Sequence, residues 1–207
     1  ISAVTNGKFV NEIIPVELVT KKGTTIIDKD EEPFRGKLDK FSELKPAFDK
    51  AGTVTAANAS SLNDGAAALV LCSATAAKKH GLKPIARILA QVSHAQAPEW
   101  FTTAPIAAVE KLLKKAGKSV ADIDLFEINE AFSVVALACA QGLGIPESKI
   151  NTRGGAVALG HPIGASGARI VGTLIHGLRR DGGKLGVAAI CIGGGEASAV
   201  LVESLGG

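Results

Sequence analysis

Asn129, His161 and Cys191 are the side chains of this sequence best placed to do chemistry, because each stands where an expected element meets a turn. They lie in the motifs Asn129-Glu130-Ala131-Phe132, Gly160-His161-Pro162 and Cys191-Ile192-Gly193. A carboxamide, an imidazole and a thiol suffice for acyl-transfer or carbanion chemistry. Asn129 serves equally as a helix N-cap and as a group holding a water or carbonyl oxygen at the end of a sheet. His161 sits in the stretch from Gly154 to Gly164, where five of eleven positions are Gly or Pro, so the backbone is pinned while the imidazole is presented. Its intrinsic pKa of about 6.5 suits polarising an oxyanion or taking a proton from a thiol. Cys191 reads either as a small buried hydrophobe or as a thiol beside the Gly193 N–H in an oxyanion hole. Gly164-Ala165-Ser166-Gly167 opens a helix, as a plain cap or as an anion cradle. Cys72 and Cys139 fall in apolar runs and read as core, and His80, His94 and His176 as surface or packing residues.

These groups need a scaffold, and from residue 73 onward the sequence supplies alternating strand and helix patterns. Ser73 is placed to cap a short helix closed by Gly81. Ile85 to Val92 reads as a strand. Pro105 suits the first turn of a helix with the apolar stripe Ile106, Val109, Leu112 and Leu113 and with Gly117 just past its end. Ile123 to Ile128 reads as a strand, and 130–142 as a largely apolar, buried helix. Ser166 can cap a helix that turns Ile170, Val171, Leu174, Ile175 and Leu178 inward. Gly186 to Ile192 and Ala197 to Glu203 read as strands joined by Gly193-Gly194-Gly195. The expected fold is a layered α/β domain with a mixed sheet.

The first part of the chain is less regular. Asn11 to Val16 suggests a short strand, and Lys29 to Lys50, with Pro33 and Pro46, reads as irregular surface structure. Thr53 to Asn58 is extended, Asn63-Asp64-Gly65 turns the chain, and Ala66 to Cys72 is an apolar run ambiguous between buried strand and helix. The expected division is 1–50 as the end of a loop or cap region, 51–82 as core end and linker, and 83–207 as the C-terminal domain.

The 207 residues allow one large or two small domains. A net charge of +3, spread along the chain, offers no nucleic-acid stripe or polybasic membrane anchor. Apolar residues make up 46% yet never run long enough to span a bilayer. Three cysteines are too few and too irregular for a disulfide framework or a zinc site, which favours a reducing compartment. Without methionine, and starting at Ile1, the chain reads as processed, as a fragment, or as part of something longer.

The ordered set is more specific than its members. Asn-Glu-Ala-Phe from Asn129, the run from Gly154 to Arg169, and Cys191-Ile-Gly-Gly-Gly resemble the C-terminal half of the thiolases, most nearly the acetyl-CoA acetyltransferase branch. Gly52 to Ser60, Asn63 to Ala68 and Asn11 to Val16 extend the resemblance to essentially the whole chain.

The resemblance implies a thiolase-like layered fold with a mixed five-stranded sheet, preceded by part of a loop domain. It implies reversible Claisen condensation of two acetyl-CoA to acetoacetyl-CoA and CoA, with the CoA thioester as substrate and no other cofactor or metal. In that scheme Asn129 holds a water that, with His161, stabilises the thioester enolate. His161 also activates the nucleophilic thiol, Cys191 moves the α-proton, and the Gly193 N–H joins a second oxyanion hole. Ser60 touches the pantetheine, Phe132 walls the acyl pocket, and Arg35 lies towards the nucleotide end of CoA. None of the three cysteines matches the acylated nucleophile, so a missing N-terminal half is expected as a partner and the segment alone is expected to be inactive. A dimer or tetramer in the cytoplasm, or in mitochondria, is the family expectation. The alternatives are a silent CoA-binding or scaffolding chain and a 3-ketoacyl-CoA thiolase of broader chain length. A nucleotide-binding module lacks the strand–turn–helix order and downstream acid of a dinucleotide site.

Overall fold

The computed structural model describes residues 1–206. In chain order its elements are α1 (Ser2–Thr5), β1 (Val16–Thr20), β2 (Gly23–Ile27), α2 (Glu32–Arg35), α3 (Ala74–Lys79), β3 (Ala86–Ala95) and α4 (Ala104–Ala116). There follow β4 (Leu125–Ile128), α5 (Ser133–Leu143), α6 (Ala156–Leu159), α7 (Ser166–Asp181), β5 (Leu185–Ile192) and β6 (Glu196–Ser204).

The main sheet has the order β3-β6-β5-β4. β6 is antiparallel to both neighbours, whereas β4 and β5 run parallel. The chain joins those parallel strands through α5, α6 and α7, as a crossover must. Helices cover both faces. Val109 and Leu112 of α4 and Val135 and Cys139 of α5 pack with Phe126, Ile128, Val187 and Leu201 on one side. Ile170, Leu174 and Leu178 of α7 pack with Leu125, Ala188 and Val202 on the other. Removing each of the Val, Leu, Ile and Phe side chains among these from water is worth roughly 1.5–3 kcal/mol.

The local signals explain most boundaries. α4 carries Pro105 in its first turn and stops at Gly117, whose φ of 62° is left-handed. The Ser73 hydroxyl caps α3 by accepting from the Ala76 N–H at 3.1 Å. The stripe of α7 is buried as expected at Ile170, Leu174, Ile175 and Leu178.

Four expectations change. The sheet is mixed and α/β as expected, but it has four strands among the described residues rather than five. The fifth position shrinks to one parallel bridge, Phe126 to Ile150, because Asn151 turns away at a φ of 45°. The strand expected over Asn11 to Val16 is absent, since the Ile13 N–H bonds locally to Phe9 O at 3.1 Å and pairing starts only at Val16, in the β1–β2 hairpin. Ala66 to Cys72 is neither helix nor strand and is exposed throughout, so Cys72 is not core. The helix expected over 130–142 spans Ser133–Leu143 and is capped at Phe132, not Asn129; it buries Val135 and Cys139 but leaves Val134 and Leu137 exposed.

Candidate active site

Asn129 stands one residue beyond β4, and its N–H extends the ladder by donating to Ala189 O at 2.9 Å. That pairing holds the residue extended and turns its side chain into the protein. The carboxamide is 0% exposed. Its Nδ2 faces Nε2 of His161 at 3.4 Å, while Oδ1 is buried and has no hydrogen-bond partner among the described residues. An orphaned carbonyl-type oxygen in a buried place costs about 1–3 kcal/mol unless something fills the gap. Asn129 therefore does not cap α5, and its buried carboxamide has an oxygen free to accept from a small polar group.

His161 is held from several sides. Its N–H donates to Ser61 O at 2.9 Å, and Leu62 bridges to it in parallel. Gly160 before it has a φ of 95°, and a Cβ there would lie 2.1 Å from Asn63 Oδ1, so only glycine fits. Nδ1 of His161 lies 2.6 Å from Ser166 Oγ, and the Ser166 hydroxyl donates to Pro162 O at 3.1 Å. With its proton committed to Pro162, Ser166 accepts from Nδ1–H, which leaves the Nε2 lone pair towards Asn129. Ser166 makes no capping bond on α7; the cap expected from the sequence is instead the group that orients the imidazole. Burial, and secondly the Arg169 cation, hold His161 below the ordinary imidazole range, so it is neutral at pH 7.

Cys191 ends the buried part of β5 opposite Ala197 and is 8% exposed. Burial pushes its thiol up, so it rests protonated. Among the described residues no hydrogen bond joins it to His161 or Asn129; it shares with Asn129 the same end of two neighbouring strands. Gly193 follows in an exposed turn closed by Gly195 N–H donating to Ile192 O at 3.0 Å. Cys139 is core, its thiol pushed up to about 12 by burial.

The remaining expected residues fall into two groups. The Ser60 hydroxyl donates to Ala131 O at 2.8 Å, and Ala59 bridges to Phe132, so Ser60 rides on the Asn129–Phe132 segment. Phe132 meets Phe48 and Phe101 edge-on at centroid distances of 6.0 and 6.4 Å, an aromatic wall in which only Phe132 was expected. Arg35 is exposed on α2 and ion-paired with Glu31 and Glu32. Glu32 also accepts from Ser61 Oγ at 3.3 Å, which ties α2 to the segment beside His161. Among the described residues no group of three or more His, Cys, Asp or Glu could hold a metal ion. No described helix is long and apolar enough to cross a membrane.

Comparison with known proteins gives this geometry a family. Residues 82–204 match the model of the thiolase C-terminal domain, and residues 1–75 that of the thiolase N-terminal domain. An acetyl-CoA acetyltransferase of Yarrowia lipolytica is 52% identical over 203 residues, covering 98% of this chain and 51% of the relative. The crystal structure of the Bacillus anthracis acetyl-CoA acetyltransferase superposes with a TM-score of 0.95 at 43% identity, over 99% of this chain and 52% of that one. The Ascaris suum thiolase Acat5, solved in complex with coenzyme A, superposes at 0.89 with 46% identity, over 99% and 52%. The chain thus spans about half the length of the curated relatives it matches. On this evidence the chain belongs to the thiolase family.

Proposed function

We propose that this chain supplies the enolate-stabilising wall of an acetyl-CoA C-acetyltransferase, which condenses two acetyl-CoA to acetoacetyl-CoA and CoA reversibly. The observation that carries this reading is the buried pair of Asn129 and His161, 3.4 Å apart, with the Asn129 oxygen left without a partner. A thioester α-proton is too weakly acidic for a side-chain base unless fixed donors meet the developing enolate oxygen. Asn129 Oδ1 accepts from a water, and that water and an Nε2–H of His161 donate to the oxyanion. His161 gains that proton from the nucleophilic cysteine of the missing half, being neutral and presenting Nε2 beforehand.

Cys191, a resting thiol, protonates the departing CoA thiolate. As a thiolate it then removes the α-proton of the second acetyl group, whose carbanion attacks the acyl-enzyme and displaces the cysteine. The Gly193 N–H faces the second oxyanion. Ser60 contacts the pantetheine and Phe132 bounds the acyl pocket, while Arg35, already paired with Glu32, lies towards the nucleotide. None of the three cysteines takes the nucleophile's place: Cys72 is on the exposed run and Cys139 is core. The remaining half of a relative-length thiolase covers the apolar run 66–72, and two or four such subunits assemble in the cytoplasm.

The test joins residues 1–207 behind the N-terminal half of a relative and measures acetoacetyl-CoA thiolysis. We expect turnover that His161→Ala abolishes. A folded, CoA-binding hybrid without thiolysis would sink this reading in favour of a silent scaffold. The 207-residue chain alone should show no stoichiometric acetyl adduct in mass spectra after exposure to acetoacetyl-CoA; an adduct on Cys191 contradicts its assigned role.

A further inference from the structure

Glu130, the residue after Asn129, bonds to neither member of the pair, yet it links the segments that carry them. Glu130 Oε1 accepts from Asn151 Nδ2 at 2.8 Å, and Oε2 accepts from the Val157 N–H at 3.2 Å. Val157 lies in the first turn of α6, the short helix that ends at Gly160 and delivers His161. Asn151 is itself fixed to β4, since its Oδ1 accepts from Ile128 N–H and its Nδ2 also donates to Ile128 O, both at 2.8 Å. The carboxyl fills the space beside Gly155 so closely that a Cβ there would lie 2.4 Å from Glu130 Cδ.

We propose that Glu130 is the positioning residue that sets the spacing of Asn129 and His161, by latching the turn that carries the imidazole to the strand end that carries the carboxamide. The separation of 32 residues between the partners leaves their register to such cross-links. One carboxylate reaches both sides because it accepts at two oxygens at once. A misplacement of an ångström at such a pair costs up to about a hundredfold in rate. The catalytic consequence rests on the proposed function; the geometric claim does not.

Histidine titration by NMR on the 207-residue chain separates the two. The sequence holds four histidines, and His80, His94 and His176 serve as internal controls. His161 is held low by burial first and by Arg169 second. Removing the carboxylate charge alone would push it lower still. Loosening the turn admits water and moves it up towards about 6.5. Glu130→Ala should therefore raise the His161 titration and leave the other three in place. Glu130→Gln, which keeps an acceptor for Val157 but opposes Asn151 Nδ2 with a second donor, should raise it less. Gly155→Ala displaces the carboxyl without removing its charge and should raise it too, which also covers the case in which Glu130→Ala does not fold. A His161 curve that stays put or falls in these variants, or four curves that move together, overturns the proposal. Absent turnover in the hybrid with His161 shifted as expected removes the functional reading and leaves this one standing.

Discussion

Two stretches of this chain are comparably rich in apolar residues and meet opposite fates. In 86–204 they form two clusters on the faces of one sheet, with Leu112 and Leu174 fully enclosed. In 1–72 only Ala3, Phe9 and Pro33 are buried, and Val70 is 95% exposed. Apolarity alone does not make a core; a periodic face needs a second face at the right distance. α7 has one in β4 and β5, whereas the run 66–72 has none within the described residues. An exposed apolar surface of that kind is the mark of an interaction site.

The sharpest way to break this contrast is to remove comparable side chains from both regions. Leu174→Ala should cost about 2–5 kcal/mol in urea unfolding, from lost transfer energy and the cavity left under α7. A cost near zero would mean the sheet-and-helix body is not the stable unit.

Next comes an ionisable carboxyl buried inside that body. Glu127 on β4 is 3% exposed, and burial, opposed by Arg169 and Arg153, pushes its carboxyl up to about 8 from an ordinary 4.5. The folded chain keeps a proton that the unfolded chain loses between those values. The associated stability is complete below about 4.5 and disappears as pH rises through about 8. Glu127→Gln should therefore melt higher than the parent at pH 9 and change little at pH 5. Equal shifts at both values would remove the titration from the explanation.

Ser166→Ala removes the acceptor for Nδ1–H of His161, at a cost of about 1 kcal/mol for one buried hydrogen bond. Imidazole 15N shifts should pass from the Nδ1–H form to a mixture of tautomers, and an unaltered spectrum would show that Ser166 does not select the form.

The smallest effect belongs to the first region. Val70→Ala should stay within about 0.5 kcal/mol of the parent, as surface changes do. A loss comparable to that of Leu174→Ala would show a core where Val70 faces solvent.

The elements whose ends carry local signals were legible: Ser73, Pro105 and Gly117 mark boundaries by short-range chemistry, and α7 by its period. β4 was legible too, inside the strand expected over Ile123 to Ile128, but the single bridge beside it at Ile150 was not. The fifth strand failed because Asn151 substitutes a side-chain amide for a backbone pairing, and no period records that. Cys72 and its neighbours misled because a buried strand and an uncovered irregular run share the same composition. At the candidate site, turn settings singled out Asn129 and His161, the two side chains that the fold brings within 3.4 Å. Ser166 was seen but given the wrong task, since its proton's destination depends on how the loop at Pro162 folds back. Glu130 and Asn151 were passed over because their partners lie more than twenty residues away.

Asn151 has one more effect, on the company this protein keeps. The open edge of a terminal strand invites pairing with strands of other molecules. On β4 that edge is already occupied: Asn151 N–H donates to Phe126 O and the Asn151 amide takes both backbone groups of Ile128, while Lys149 Nζ donates to Ile123 O just before the strand. Beside Asn129, the outer edge of β4 therefore offers a foreign strand neither Phe126 O nor the backbone groups of Ile128.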